Sequence, residues 1–207
     1  GILRDRMMAN MSEEEWDAVI KVHLKGTFAP SRFAAAYWRD QSKAGKPVDG
    51  RIINTSSVSG IYGNVGQTNY GAAKAGIAAF TTIASLELAR YGVTVNAVAP
   101  VALTRMTENL SPTPPTDEER ELGSPRWIAP IVTWLASEES KAITGRVFEA
   151  SGRVLAIAEG WHRGPTHEPV DDAAMLGPIV EELMTKARLN AGMDGKDGSW
   201  PQPQPNK

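Results

Sequence analysis

Apolar and polar residues alternate at helical spacing near the start of the chain. Ser12-Glu-Glu-Glu15 has the sequence of a capping box, in which a serine and a glutamate close the first turn of a helix. Apolar residues then recur every three or four positions over residues 16–37. The pattern predicts a helix that ends near Gln41, before a polar loop.

Further along, β-type runs alternate with helical ones. Strands are predicted at residues 51–56, 93–98 and 145–150, and the second is rich in β-branched residues, as buried strands are. Helices are predicted at residues 68–90, with Gly92 as the C-cap, and at residues 124–136. Short connections between such elements favour a parallel sheet covered by helices on both faces, an α/β fold.

The C-terminal part of the chain has a different pattern. Residues 170–190 predict an amphipathic helix whose apolar face needs a partner, either a neighbouring subunit or the mouth of an active site. From Ala191 onward, glycine, proline, glutamine and lysine dominate, and this composition predicts disorder.

Composition excludes several classes of function. Of the 207 residues, 42% are hydrophobic, and the net charge of -2 does not favour nucleic acid as a partner. The absence of cysteine excludes disulfides and thiol chemistry. No apolar run reaches the length of a membrane span, so we expect no membrane partner and a cytoplasmic location. His162 and His167 lack the spacing of a standard metal site, and we expect no metal.

Tyr70 and Lys74 stand one helical turn apart within the helix predicted at residues 68–90. An ammonium group beside a phenol favours the phenolate, which makes the tyrosine an acid or base near neutral pH. Lowering a phenol pKa by about 3 units takes roughly 4 kcal/mol, which one lysine rarely supplies. A second positive group, such as an oxidised nicotinamide ring, is therefore expected. An ordinary surface pair is the alternative.

The residues before this pair favour chemistry over a surface contact. The strand predicted at residues 51–56 runs into Ser57, and Gly60, Gly63 and Gly66 follow as turn glycines that lead into the helix. A hydroxyl at a strand end and the Tyr/Lys face of a helix then meet at one point in space.

These segments resemble the motifs of the short-chain dehydrogenase/reductase family. They occur in the family's order and spacing, and the resemblance covers about residues 1–155. The matching segments are Thr55-Ser-Ser-Val-Ser-Gly60, Asn69-Tyr-Gly-Ala-Ala-Lys-Ala-Gly76 and Val93-Thr-Val-Asn-Ala-Val-Ala-Pro100. The resemblance implies the C-terminal part of a Rossmann-like doubly wound parallel sheet, with helices on both faces.

The family's residue roles carry over to the matching positions. The resemblance implies that Ser57 holds the substrate oxygen and that Tyr70 passes the proton. It implies that Lys74 lowers the pKa of Tyr70 and binds the nicotinamide ribose. Pro100 and Thr104 are expected to contact the nicotinamide end of the cofactor. NAD is the expected cofactor, and NADP is not excluded because the residue that discriminates between them lies outside this chain.

The start of the chain also resembles a family motif. Gly1-Ile-Leu-Arg-Asp-Arg resembles the end of the family's Asn-Ala-Gly motif, which implies that Gly1 contacts the cofactor. In a complete member, a half with a glycine-rich pyrophosphate loop comes first, so we expect a protein longer by roughly 90 residues. We therefore expect the C-terminal part of the Rossmann-like domain at residues 1–155, a helical extension at 156–190 and a disordered tail at 191–207.

Two further features bear on the reaction. His23 stands where most relatives have an asparagine that links the lysine to solvent, which implies a proton route; a satisfied core histidine is the alternative. The polar stretch at residues 105–124 predicts either a mobile substrate lid or a surface loop without a role.

The same histidine occurs in the (3R)-hydroxyacyl-CoA dehydrogenase units of type 2 multifunctional β-oxidation enzymes. This resemblance implies a bacterial stand-alone relative that transfers a hydride between nicotinamide and a secondary alcohol or ketone. The expected substrate is a 3-hydroxyacyl-CoA thioester, sterol-derived ones included. A 3-oxoacyl-thioester reductase, a hydroxysteroid dehydrogenase with a steroid-like substrate, and a non-catalytic binding or assembly subunit that retains the fold are the alternatives.

The helix at residues 68–90 also bears on assembly. It is unusually rich in alanine and glycine, which let another helix approach closely. Because two long helices pair across a twofold axis in the family, the resemblance implies a homodimer or homotetramer. The alternative is that these small residues only pack against the sheet.

Overall fold

A four-stranded sheet forms the centre of the first of two compact units in the computed structural model, which describes residues 1–104 and 114–198. The two units are Gly1–Glu159 and Gly160–Lys207. The strands, in their order across the sheet, are β1 (Gly50–Thr55), β2 (Val93–Pro100), β3 (Val147–Ala150) and β4 (Leu155–Ala158).

The first three strands are parallel, and the α/β fold with a parallel sheet is confirmed. The prediction that residues 145–150 hold the last strand was wrong, because β4 follows β3 and pairs with it antiparallel. This strand is four residues long and half exposed, so its apolar pattern is too short to identify it. Its pairing with β3 across a short turn makes it a strand.

Six helices accompany the sheet in the described part of the first unit. They are α1 (Glu13–Ile20), α2 (Gly26–Lys43), α3 (Val58–Tyr62), α4 (Thr68–Leu88), α5 (Asp117–Leu122) and α6 (Ala129–Leu135). Short 3-10 turns lie at Met8–Asn10, Ala89–Tyr91, Pro125–Trp127 and Glu138–Ser140. Gly92 ends the turn that follows α4 in the left-handed conformation, with φ of 76°, as predicted for a C-cap.

The predicted first helix is confirmed and continues to Lys43. Its capping box forms as expected, since the Ser12 hydroxyl accepts the backbone N–H of Glu15 at 3.2 Å and the Glu15 carboxylate accepts that of Ser12 at 3.0 Å. Between α1 and α2, residues Lys21–Lys25 form a π-helical turn. Such turns are frequent at functional sites, and this one carries His23.

The core lies on both faces of the sheet. β2 is buried along its length from Val93 to Ala99. One face of the sheet packs against α2 and α4, in a cluster of Ile52, Ala84, Leu88, Val93 and Val95. The other face packs against α6, in a cluster of Val98, Ile131, Leu135, Phe148 and Ala150. The predicted layering, with helices on both faces, is confirmed.

The stretch Thr68–Tyr91, which contains α4, has the length and hydropathy of a membrane span. From the sequence we expected no apolar run as long as a membrane span. This stretch passes that test because it carries few charged residues. The buried residues of α4, among them Ile77, Ala84 and Leu88, pack in the core of the unit. Length and composition are therefore weak evidence for a span here.

The second unit contains α7 (Leu176–Lys186), preceded by a 3-10 turn at Ala173–Met175. The amphipathic helix predicted at residues 170–190 is present but shorter at both ends. Residues 191–198 close a turn in which the backbone N–H of Gly192 donates to the carbonyl of Lys196 at 2.9 Å. Residues 199–207 lie outside the described part, so the predicted disordered tail stays a prediction.

Candidate active site

Ser57 lies immediately after β1 and caps the first turn of α3. Its hydroxyl oxygen accepts the backbone N–H of Ser59 at 3.2 Å, and its backbone is extended. The hydroxyl hydrogen is thereby left to donate to a second oxygen. Because β1 ends at Thr55, the strand and the cap together place Ser57 at the carboxyl edge of the parallel sheet, where open α/β sheets bind ligands.

Gly60 is not a turn glycine, contrary to the sequence prediction. It lies within α3, and a Cβ atom built there would stand 2.5 Å from the backbone nitrogen of Ala75 in α4. Its role is close helix–helix approach. Gly63 and Gly66 do have positive φ angles of 84° and 83°, so the turn prediction is confirmed for these two.

Tyr70 lies in the first turn of α4, as expected from the spacing. Its backbone N–H donates to the side-chain oxygen of Asn69 at 2.7 Å, and the Asn69 amide donates to the carbonyls of Arg4 at 3.0 Å and Glu15 at 3.3 Å. Sequence reasoning missed Asn69, which is fully buried. Its position beside Tyr70 was the available signal. It ties the start of α4 to the N-terminal segment of the chain.

Lys74 is buried beside Tyr70. Its ammonium donates to the carbonyl of Thr55 at 2.7 Å, and the Nζ atom lies 5.6 Å from the centroid of the Tyr70 ring. Burial lowers the pKa of Lys74 to about 8, because the charged form loses its hydration. The structure thus brings Ser57, Tyr70 and Lys74 together at the end of β1.

The electrostatics of Tyr70 differ from the sequence expectation. Burial raises the pKa of Tyr70, a hydrogen bond with Ser57 lowers it, and the carboxylate of Asp5 raises it. Lys74 does not emerge as a cause, although the sequence led us to expect it to lower this pKa. Burial, which penalises the charged phenolate, is the largest of the causes. In the protein alone Tyr70 is therefore a neutral phenol, and lowering its pKa requires a further positive group, as the sequence led us to expect.

His23 packs against the site from the π-helical turn. Its ring and that of Tyr70 meet edge to face with 5.0 Å between centroids, and its Nε2 atom lies 2.8 Å from the carbonyl oxygen of Ile2. Burial lowers the pKa of His23, so the ring is neutral near pH 7. Its position beside Tyr70 is consistent with a proton route, and its burial with a core histidine. The role of His23 stays a prediction.

A groove of about 460 Å³ reaches Lys74 and His23 but not Ser57 or Tyr70. Among the residues that line it are Gly1, His23, Thr55 and Lys74. Gly1 shares this groove with Lys74, and its predicted contact with the cofactor stays a prediction. Pro100 ends β2, and Thr104 lies in the loop beyond; neither lines this groove, and their predicted cofactor contacts stay predictions.

The predicted lid, residues 105–124, is only partly within the described part of the chain. Residues 105–113 are outside the described part. Residues 117–122 form α5, which begins with a capping box between Thr116 and Glu119. Within residues 1–104 and 114–198, no group of three or more His, Asp or Glu side chains is placed to hold a metal ion.

Residues 1–115 match the family described as short chain dehydrogenase. The chain belongs to the short chain dehydrogenase family. A solved structure of a short chain dehydrogenase from Mycobacterium avium is 52% identical, with a TM-score of 0.82. The match covers 93% of this chain and 63% of that one. The resemblance stated from the motifs is confirmed, as is the Rossmann-like class of the fold.

Two curated relatives of this short chain dehydrogenase are both hydroxyacyl-CoA dehydrogenases. Hydroxyacyl-CoA dehydrogenase ChsB1 of Mycobacterium tuberculosis is 47% identical over 166 residues, which cover 78% of this chain and 52% of that protein. The (3R)-3-hydroxyacyl-CoA dehydrogenase of Homo sapiens is 43% identical over 159 residues, which cover 73% and 59%. The chain thus spans a little over half the length of these relatives. The likeness to hydroxyacyl-CoA dehydrogenases seen in the motifs is confirmed.

Proposed function

We propose that this protein is an oxidoreductase that transfers a hydride between a nicotinamide cofactor and a secondary alcohol or ketone. The observation that carries the proposal is the convergence of Ser57, Tyr70 and Lys74 at the carboxyl end of β1. Together they supply a hydrogen-bond donor, an acid or base, and a cation, which hydride transfer to or from a carbon–oxygen bond requires.

The residues present fit the nicotinamide ribose end of such a cofactor. Lys74 has three ammonium hydrogens, and the carbonyl of Thr55 accepts one of them. The others suit the hydroxyls of a ribose, and Gly1 and Lys74 line the same groove. NAD or NADP would supply hydride acceptance at its ring. We favour NAD because of the likeness to dehydrogenases that act in oxidation.

In the oxidation of an alcohol, each residue has a defined task. Ser57 donates its hydroxyl hydrogen to the substrate oxygen and holds it. Tyr70, ionised when positive charge is close by, accepts the proton of the substrate hydroxyl. Lys74 stabilises the phenolate from one helical turn away. In the reverse direction Tyr70 returns the proton to the carbonyl oxygen.

The substrate class we propose is a 3-hydroxyacyl-CoA thioester, including bulky sterol-derived ones. The two relatives named above, both hydroxyacyl-CoA dehydrogenases, support it. The decisive experiment uses protein from the complete natural reading frame, a panel of 3-hydroxyacyl-CoA thioesters, NAD or NADP, and absorbance at 340 nm. Reduction of one cofactor is the expected result.

Other outcomes identify the alternatives. Turnover confined to 3-oxoacyl thioesters with reduced cofactor would indicate a reductase, and turnover of steroid alcohols alone a hydroxysteroid dehydrogenase. Folded protein that is silent with all substrates and both cofactors would contradict the proposed activity and favour a non-catalytic binding or assembly subunit.

We also propose that the protein is a homodimer or homotetramer that associates through α4. This helix exposes one continuous face of small and apolar residues at helical spacing, formed by Ala72, Ala75, Ala79, Ile83 and Leu86. Ile83 and Leu86 are 57% and 76% exposed, which is unusual for large apolar side chains in a core helix. A second copy of the same helix would cover this face.

A further inference from the structure

A hydrogen bond joins α3 to the sheet, outside the group of Ser57, Tyr70 and Lys74. The hydroxyl of Tyr62, the last residue of α3, donates to the carboxylate of Glu149 in β3. Burial and the neighbouring carboxylate raise the pKa of Tyr62, so the phenol keeps its proton and donates at neutral pH. A hydrogen bond to a charged acceptor is among the stronger ones in proteins.

Tyr62 and Ser57 lie at opposite ends of the same short helix. Ser57 is the N-cap of α3 and Tyr62 is its last residue, so only about 7.5 Å of helix separates them. The backbone N–H groups of Gly60 and Ile61 both donate to the carbonyl of Ser57, at 2.9 and 3.2 Å. A shift of α3 at Tyr62 is therefore passed on to Ser57.

The acceptor of this bond is well anchored. Glu149 is paired on both sides, with Ala99 of β2 and Ala156 of β4. Ile61 packs beside it against a cluster of Ala97, Ala99 and Val147. The central strands thus give α3 a fixed support on the sheet.

On its other side α3 rests on α4. Gly60 approaches the backbone of Ala75 and the Cβ of Lys74, and Lys74 and Tyr70 belong to that helix. The distance between Ser57 and Tyr70 is therefore set by where α3 sits between α4 and the sheet. Loss of the Tyr62–Glu149 bond would loosen the sheet side of α3 at its C-terminal end, leaving the packing of Ile61 and the α4 side in place.

We propose that Tyr62 and Glu149 are positioning residues that hold Ser57 in register with Tyr70. The two side chains touch neither substrate nor cofactor in this role; they act through Ser57. The inference rests on the proposed function, because the geometry they hold matters for the reaction only if Ser57 and Tyr70 perform it.

The test is a double-mutant cycle in protein from the complete reading frame. Tyr62→Phe removes the donor and keeps the ring, and we expect kcat for the best 3-hydroxyacyl-CoA to fall about 10-fold or more, with the KM for the cofactor unchanged. In a Ser57→Ala background the same change should lower kcat less than 2-fold, because the residue it acts through is gone. An equal loss in both backgrounds would overturn the proposal.

Three further variants separate positioning from general stability. Glu149→Gln keeps an acceptor for the phenol and should retain kcat within about 3-fold of the wild type, whereas Glu149→Ala should match Tyr62→Phe. Tyr37→Phe is the matched control, since it removes a hydroxyl from a tyrosine that is 60% exposed on α2. Thermal unfolding of every variant shows whether a loss of kcat follows a loss of stability; if it does in each case, the role is structural only.

A second readout does not depend on turnover. Hydrogen–deuterium exchange of the backbone N–H groups of residues 60–63 should quicken in Tyr62→Phe and stay as in wild type in Glu149→Gln and Tyr37→Phe. Unchanged exchange in Tyr62→Phe would refute the positioning role. A wild-type protein without activity on any substrate would refute the proposed function instead, and the exchange data would still decide whether this bond holds α3.

Discussion

Tyr70 and Lys74 are both buried, and burial favours the neutral form of each side chain. It raises the pKa of Tyr70 and lowers that of Lys74 to about 8. Near pH 7 Lys74 is still mostly an ammonium while Tyr70 is a neutral phenol, and a further positive charge that enters beside them favours the phenolate. The protonation state of Tyr70 therefore depends on the charge that binds beside it, as proton transfer requires.

Removal of the Tyr70 hydroxyl tests this pair directly. We expect Tyr70→Phe to lower kcat by about 10² to 10⁴-fold, the usual contribution of a general acid or base, and to leave the affinity for the cofactor nearly unchanged. Stopped-flow absorbance at 340 nm gives the rate, and quenching of tryptophan fluorescence gives the affinity. Tyr37→Phe serves as the control. Activity retained in Tyr70→Phe would contradict the assignment.

The lowered pKa of Lys74 predicts how stability depends on pH. Lys74 holds its proton with a pKa of about 8 in the folded protein and about 10.4 in the unfolded chain, so between these values the unfolded state binds more protons. The free energy of unfolding should therefore rise with pH above 8, by about 2 kcal/mol up to pH 9.5 relative to a Lys74→Met variant.

Urea unfolding at pH 7, 8, 9 and 9.5 measures this difference. The range stops at 9.5 because the raised pKa of Tyr70 acts in the opposite direction once free tyrosine begins to ionise, near pH 10. A constant gap between wild type and Lys74→Met across the series would show that burial does not disfavour the ammonium.

At the scale of elements, α3 is the part that depends most on close packing. It is five residues long and makes no stable helix by itself, so its contacts with α4 and the sheet determine its position. Gly60 provides one of those contacts by the absence of a side chain.

Gly60→Ala should therefore separate the two helices. A methyl group there would stand 2.5 Å from the nitrogen of Ala75, and we expect a loss of about 1–3 kcal/mol in the free energy of unfolding, with lower kcat as Ser57 moves. The matched control is Gly26→Ala in α2, where the nearest atom is 3.7 Å away and a helical alanine should stabilise by up to about 1 kcal/mol. Equal stability of both variants in thermal unfolding would contradict this packing.

At the scale of the whole molecule, the exposed face of α4 predicts association. Leu86→Glu would bury a charge in a helix pair, so light scattering at micromolar concentration should give a smaller mass than wild type. Val65→Glu, at a residue that is 83% exposed in the turn before α4, is the control and should leave the mass unchanged. A wild-type protein that is monomeric at these concentrations would contradict the proposed dimer or tetramer.

Local features of this protein could be read from its sequence, because they depend on residues a few positions apart. The Ser12 capping box, the shared helical turn of Tyr70 and Lys74, and the left-handed Gly92 all follow from short-range sterics and hydrogen bonding. The buried β-branched run of β2 was also enough to place a central strand, and the order of elements to place the fold in the α/β class.

Only the tertiary structure decided the features that join distant segments. β4 is a strand through its pairing with β3, Gly60 is a packing glycine through its approach to α4, and Glu149 meets Tyr62 across 87 positions of sequence. The direction in which the pKa of Tyr70 moves belongs here as well. Sequence shows which charge stands one turn away, but burial, the largest cause of the shift in the pKa of Tyr70, is a property of the folded chain.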